Sequence, residues 1–243
     1  MKCLLVALCL AASSYAYKLD LDIDLENAVW PKGAYGLTKP EFGCPEPEEG
    51  FTWREGMRFH DTEDSFPDNQ WSDILHFYGN YGKNNMEQHF CMKTTDQTSD
   101  YAWPQGQYCL FRASNQACPA GFRDGWIKFD DEDSFNSNHV SGEVPHGTYD
   151  HNTLIWYCCK TQGFHDVPMQ LPRHKPFYLF KHGDRCQQVA GMHENEEWFQ
   201  WDSEDTPPGN EYAGSVPTSV IGQNVRIYYC YYTPKFRRPD SRQ

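Results

Sequence analysis

One cysteine-marked pattern is written three times along this chain. The first copy runs Trp30-Pro31-Lys32-Gly33-Ala34-Tyr35-Gly36-Leu37, Gly43-Cys44-Pro45, Asp61-Thr62-Glu63-Asp64-Ser65-Phe66 and Phe90-Cys91-Met92-Lys93-Thr94. The second runs Trp103-Pro104-Gln105-Gly106-Gln107-Tyr108-Cys109-Leu110, Ala117-Cys118-Pro119, Asp130-Asp131-Glu132-Asp133-Ser134-Phe135 and Tyr157-Cys158-Cys159-Lys160-Thr161. The third has drifted but keeps the order: Pro176-Phe177-Tyr178-Leu179, Arg185-Cys186-Gln187, Asp202-Ser203-Glu204-Asp205-Thr206 and Tyr229-Cys230-Tyr231-Tyr232-Thr233. The acidic motif starts at 61, 130 and 202, so the intervals are 69 and 72 residues. A near-fixed period reports one structural unit used three times, too small to bury its apolar face alone and therefore folding with its neighbours as one body.

Residues 1–16 have the form of a secretory signal. Lys2 supplies the charge, Leu4 to Ala12 the apolar run, and Ser14-Tyr15-Ala16 the small residues of a cleavage site. That run is too short to span a bilayer, and no later stretch approaches the length required. An exported protein is expected, with no transmembrane segment. Cleavage removes Lys2 and takes the formal charge from −13 to −14. Such an acidic chain is unsuited to nucleic acid, whose phosphates require Lys and Arg.

Cys3 and Cys9 leave with the signal, and eight of the ten cysteines remain. Spacing alone allows 105 pairings of eight cysteines. The repeat narrows them, because each unit carries one cysteine after its Tyr-x-Leu element and one near its end. The simplest symmetric solution is Cys44–Cys91, Cys118–Cys158 and Cys186–Cys230. Cys109 and Cys159 are left over, both in the second unit, and pair with each other. Each symmetric bridge is worth roughly 4 kcal/mol in the chain-entropy model. A chain with 15 Phe, 15 Tyr and 8 Trp but few aliphatic residues builds its core largely from rings, and such bridges suit it.

The fold class expected is all-β. Segments 154–158, 225–230, 107–111, 177–180 and 126–129 are short, rich in β-branched and aromatic residues, and bounded by Asn, Gly or Pro. Helical spacing is conceivable only over Trp71 to Tyr78. Three β units suggest pseudo-threefold symmetry, as a β-trefoil or a β-prism; units of about seventy residues favour a prism-like single domain. The expected organisation is signal 1–16, an acidic arm 17–29 with alternation over Lys18 to Glu26, the β domain 30–234 and a polar tail 235–243. The repeats fall at about 30–94, 103–161 and 171–233.

The acidic motif is the most tempting chemistry. Asp61, Glu63 and Asp64, Asp130, Glu132 and Asp133, and Asp202, Glu204 and Asp205 offer hard oxygen ligands of the kind calcium takes. The preferred reading is structural: carboxylates at turns accept backbone N–H bonds, and what recurs in every unit serves folding. No cofactor is required. His193-Glu194-Asn195-Glu196-Glu197 lacks the second histidine of a zinc protease motif, and neither a nucleophile elbow nor a phosphate-binding loop occurs. Catalysis is not expected, and no ligand-binding residue can be named.

Several ordered motifs resemble the C-terminal domain of apextrin, often called ApeC. They include the Trp-Pro-x-Gly-x-Tyr-Gly-Leu opening at Trp30, Gly43-Cys44-Pro45, Phe51 to Arg58 and Asp61 to Asp64. Later landmarks are similar too: Leu171-Pro172, Pro176 to Phe180 and Cys186 to Met192. The resemblance runs from about Trp30 to Thr233. It implies an extracellular, non-catalytic protein that recognises bacterial cell-wall glycans such as peptidoglycan in innate defence. The alternative is an acidic structural protein of extracellular matrix, or of the organic matrix of a calcified shell, to which net charge and the acidic arm are suited.

Overall fold

The structure is a computed structural model that describes residues 28–62, 67–95, 100–133, 135–203 and 209–235. The signal, the alternating arm 18–26 and the tail beyond Lys235 lie outside the described residues, as do Glu63, Asp64, Glu204 and Asp205. Among the described residues there is no helix. The first unit contributes β1 (Tyr35–Thr38), β2 (Arg54–Asp61), β3 (Gln70–Trp71) and β4 (Asn85–Lys93). The second contributes β5 (Tyr108–Arg112), β6 (Arg123–Phe129), β7 (His139–Gly142), β8 (Gly147–Tyr149) and β9 (Thr153–Lys160). The third contributes β10 (Phe177–Lys181), β11 (Met192–Trp201), β12 (Glu211–Gly214), β13 (Ser219–Ile221) and β14 (Val225–Pro234).

The pairing follows one plan three times. The last long strand of each unit lies between the first and the second, all antiparallel: β4 between β1 and β2, β9 between β5 and β6, β14 between β10 and β11. The short strands then cross between units. β7 of the second unit pairs β2 of the first, β12 of the third pairs β6 of the second, and β3 of the first pairs β11 of the third. Each unit thus completes the sheet edge of another, which leaves fewer unpaired edges for intermolecular pairing.

All fourteen strands are connected in one sheet. Ladders join β1 to β5 and β5 to β10, but β10 has no ladder with β1, so the sheet is not closed. The prism-like threefold arrangement expected from the repeat is more than this pairing establishes. The helix considered over Trp71 to Tyr78 is absent. β3 ends at Trp71, the backbone N–H of His76 donates to Glu197 and Tyr178, and Phe77 bridges to Pro40. Those outside partners use the donors that a helix needs for itself.

β1, β5 and β10 are buried on both faces, and period-two alternation sends their side chains into two separate layers. Tyr35, Leu37, Tyr108, Leu110, Phe177 and Leu179 join an outer layer with Trp30 and Trp103. Cys109, Phe111, Tyr178 and Phe180 face the larger inner core with Phe90, Tyr157, Tyr229 and Trp201. Rings meet mostly edge to face, as at Phe90–Phe111 and Phe111–Phe180 with centroids 5.1 and 4.7 Å apart. The four disulfides are Cys44–Cys91, Cys118–Cys158, Cys186–Cys230 and Cys109–Cys159.

Candidate functional site

The three acidic motifs sit at the inter-unit crossings, and their first aspartates act alike. Asp61 accepts the Ser137 backbone N–H at 2.6 Å, Asp130 that of Gly209 at 2.6 Å, and Asp202 that of Asp68 at 2.6 Å. In return, each aspartate's own backbone N–H donates to an asparagine side chain on the same partner loop. The distances are 2.8 Å to Asn138, 3.0 Å to Asn210 and 2.7 Å to Asn69. The amides of those asparagines donate at 2.9 Å to Thr62, Asp131 and Ser203, the residue after the aspartate in their own unit. Each clasp therefore ties two units at once. The signal was present in sequence: Asn69, Asn138 and Asn210 each follow their aspartate by eight residues, from 61, 130 and 202.

Among the described residues, Asp61, Asp130, Glu132, Asp133 and Asp202 form no group of three metal-capable side chains; Glu63, Asp64, Glu204 and Asp205 lie outside the described residues. Glu132 is buried and donates its backbone N–H to the Asp61 carbonyl at 2.8 Å, whereas Asp133 is exposed. Among the described residues, the one group of three metal-capable side chains that converges is Cys109, Cys159 and His182.

The units differ sharply inside the core. Where the second unit has Ile127, Phe129 and Ile155 and the third has Phe199, Trp201 and Ile227, the first has Arg58, His60 and Gln88. All three are fully buried. Arg58 donates to Thr153 at 2.9 Å and to the Asp150 carbonyl at 3.0 Å, and it faces Asp131 at 3.5 Å. His60 lies between Asp131 at 3.4 Å and Gln88 at 3.1 Å. Burial lowers the Arg58 pKa while Asp131 pulls it back up. The inlay is chemically rich but sealed from solvent.

A second asymmetry lies in the third unit, where Glu197 occupies the position of Gly56 and Gly125. Its buried carboxylate accepts from Tyr178 and from His76 Nδ1, the latter at 2.5 Å, and the His76 ring stacks on Tyr231 with centroids 4.2 Å apart. Burial, then the Glu197 charge, drives the Tyr178 hydroxyl far above its usual range.

Open grooves lie elsewhere. One of about 530 Å³ is formed where β2 begins and β4 ends, by Glu48, Phe51, Thr52, Arg54, Thr94 and Thr95 among others. Phe51 is a buried wall held by an edge-on contact with Trp53, with centroids 5.2 Å apart. The Glu48 carboxylate accepts the Trp30 backbone N–H, and burial, its largest influence, raises its pKa. Thr52 and Arg54 are exposed, and Arg54 forms no ion pair among the described residues. The result is a cation, hydroxyls, a carboxylate and an aromatic wall in one depression, suited to a polyhydroxylated ligand bearing an acid. Sequence reading missed this groove because its residues come from segments some forty positions apart. A second groove, about 360 Å³, is lined by Asp166, Glu194 and Glu196 with His165 and Arg185.

An all-β domain built on one large antiparallel sheet, braced by four disulfides and carrying open polar grooves, is the class of protein these features define. The chain belongs to the family of the C-terminal domain of apextrin, whose model matches residues 30–232. No curated protein and no solved structure matches it. No helix among the described residues is long and apolar enough to cross a membrane.

Proposed function

We propose that the protein is a secreted, non-enzymatic recognition protein that binds bacterial cell-wall glycan, peptidoglycan above all, through the groove beside Arg54. The observation that carries this reading is membership of the apextrin C-terminal family over nearly the whole described body. The groove adds chemistry that suits the ligand. Peptidoglycan presents acetylated sugars, a lactyl ether and peptide carboxylates, which match the Thr52 and Thr94 hydroxyls and the Arg54 guanidinium. The grooves found in different units carry different residues, as expected if recognition is placed where the copies diverge.

The body presenting the groove is read as three units about a pseudo-threefold axis, in a prism-like arrangement, supported by the thrice-repeated pairing plan. The alternative of a calcified or extracellular matrix protein calls for carboxylates free to meet mineral. Asp61, Asp130 and Asp202 instead hold backbone N–H groups.

Co-sedimentation of the purified chain with insoluble peptidoglycan, chitin and cellulose tests the reading. Retention on peptidoglycan well above the other two is expected. Equal absence from all three overturns it.

A further inference from the structure

We propose that Cys109, Cys159 and His182 form a latent site for a zinc-class divalent cation, locked while the two cysteines are joined and opened by their reduction. This inference stands independently of the glycan reading.

The fourth disulfide is unlike the other three. Cys91, Cys186 and Cys230 lie in the outer layer, while Cys109 and Cys159 lie on the opposite face of the same strands, in the inner core. They form a directly opposed pair on β5 and β9. The same register position is held by Gly36 and Met92 in the first unit and by Tyr178 and Tyr231 in the third. Both of those pairs fill the space without a covalent link. Moreover, Cys158, the neighbour of Cys159, is already tied to Cys118, so the additional bridge constrains a strand that is otherwise fixed. Bracing alone is a weak reason for this disulfide.

His182 supplies a stronger one. The two sulfurs and a ring nitrogen of His182 all lie within 4.8 Å of one another. Nδ1 of that ring lies 3.2 Å from the Val216 carbonyl, which can only accept, so Nδ1 carries the proton and Nε2 keeps the free lone pair. Orientation of a histidine by a backbone carbonyl on its second nitrogen is the usual support of a metal-binding imidazole. His182 also borders an open groove of about 430 Å³ shared with Val216 and Thr218. Cys109 and Cys159 are fully buried and do not line it, so a cation and a water as fourth ligand would enter from the His182 side. Two thiolates, one imidazole and one water make a familiar zinc donor set.

The redox state sets the lock. Sulfurs joined to each other carry no charge and are poor ligands. A dithiol reductant donates two electrons to the Cys109–Cys159 bond and becomes a cyclic disulfide, leaving two protein thiols. On binding, the cation displaces one proton from each thiol, so the centre is neutral and tolerable in the core. Around a tetrahedral ion with metal–sulfur bonds of about 2.3 Å the sulfurs stand roughly 3.8 Å apart. The two sulfurs are bonded to each other in the structure, so reduction must let them move apart to that separation before the cation is held.

The test uses the full chain, a dithiol reductant and cobalt(II) as a spectroscopic stand-in for zinc, with thiols mapped by alkylation and peptide analysis. Reduced protein is expected to take up one cobalt with thiolate charge-transfer and tetrahedral d–d bands, and zinc is expected to shield Cys109 and Cys159 from alkylation. Oxidised protein should show neither. His182→Ala should weaken cobalt affinity at least tenfold. A Cys109→Ala/Cys159→Ala variant, which keeps the other three disulfides, should fold and give no such bands. The proposal is overturned by absence of the bands in reduced protein, by their persistence in the double variant, or by unchanged affinity in His182→Ala. Loss of the β-sheet circular dichroism before the Cys109–Cys159 bond opens overturns it equally.

Discussion

Asn69 shows how much a single side chain carries in this protein. It is fully buried, its oxygen accepts the Asp202 backbone N–H at 2.7 Å, and its amide donates to Thr62 at 2.9 Å and the Gly82 carbonyl at 3.0 Å. Asn69→Ala removes all three bonds and strands buried groups on two units, each costing about 1–3 kcal/mol. Chemical denaturation should show a loss of about 3 kcal/mol, and a loss below about 0.5 kcal/mol would contradict the clasp. The acidic motif was legible in sequence as a turn device, but the identity of its partner was not. The period shows that Asp61 and Asn69 recur together; it does not show that Asp61 holds Asn138 of the next unit. Arg58, His60 and Gln88 were equally hidden, because polar residues on a strand read as solvent-facing until a neighbouring unit covers them.

At the scale of elements, the crossings depend on two glycines. A Cβ on Gly56 would lie 2.0 Å from the Glu143 carbonyl oxygen, and one on Gly125 would lie 2.4 Å from that of Ser215. Backbone occupies the space that any side chain would need. Gly56→Ala should therefore push β7 off β2, costing about 2 kcal/mol or more, as overpacking of a tight site does. Hydrogen exchange should show the loss first at His139–Gly142, and unchanged protection there would refute the close approach. In the third unit Glu197 fills the same position, and β3 pairs over two residues where β7 and β12 pair over four. The strands themselves were legible, since 154–158 and 225–230 read as β from composition and fall within β9 and β14. The inter-unit exchange of short strands was not, because β7 and β12 are wholly exposed and lack the alternation that marks a half-buried strand.

At the scale of the molecule, acid should weaken the fold through its histidines. Burial lowers the pKa of His89, His146 and His182 below the ordinary 6.5. A depressed folded-state pKa means that the unfolded chain binds protons first as pH falls, so stability is full above about 6.5 and declines below it. Glu87, whose pKa is lowered by its bonds to Asn80 and His89 against the opposing effect of burial, adds a further loss below its ordinary 4.5. Thermal unfolding should therefore shift downward between about pH 7 and pH 5, and the shift should shrink when the three histidines are replaced by glutamine. An unchanged slope in that triple variant would contradict the assignment.

On the proposed function, what the three units share is scaffold and what they do not share is recognition surface. Retention of wild-type and Arg54→Ala/Thr94→Ala protein on insoluble peptidoglycan, at matched thermal stability, tests that division most directly. The wild type is expected to be held, and the variant to be released at least tenfold more readily with its melting temperature unchanged. Equal retention of the two proteins would contradict it.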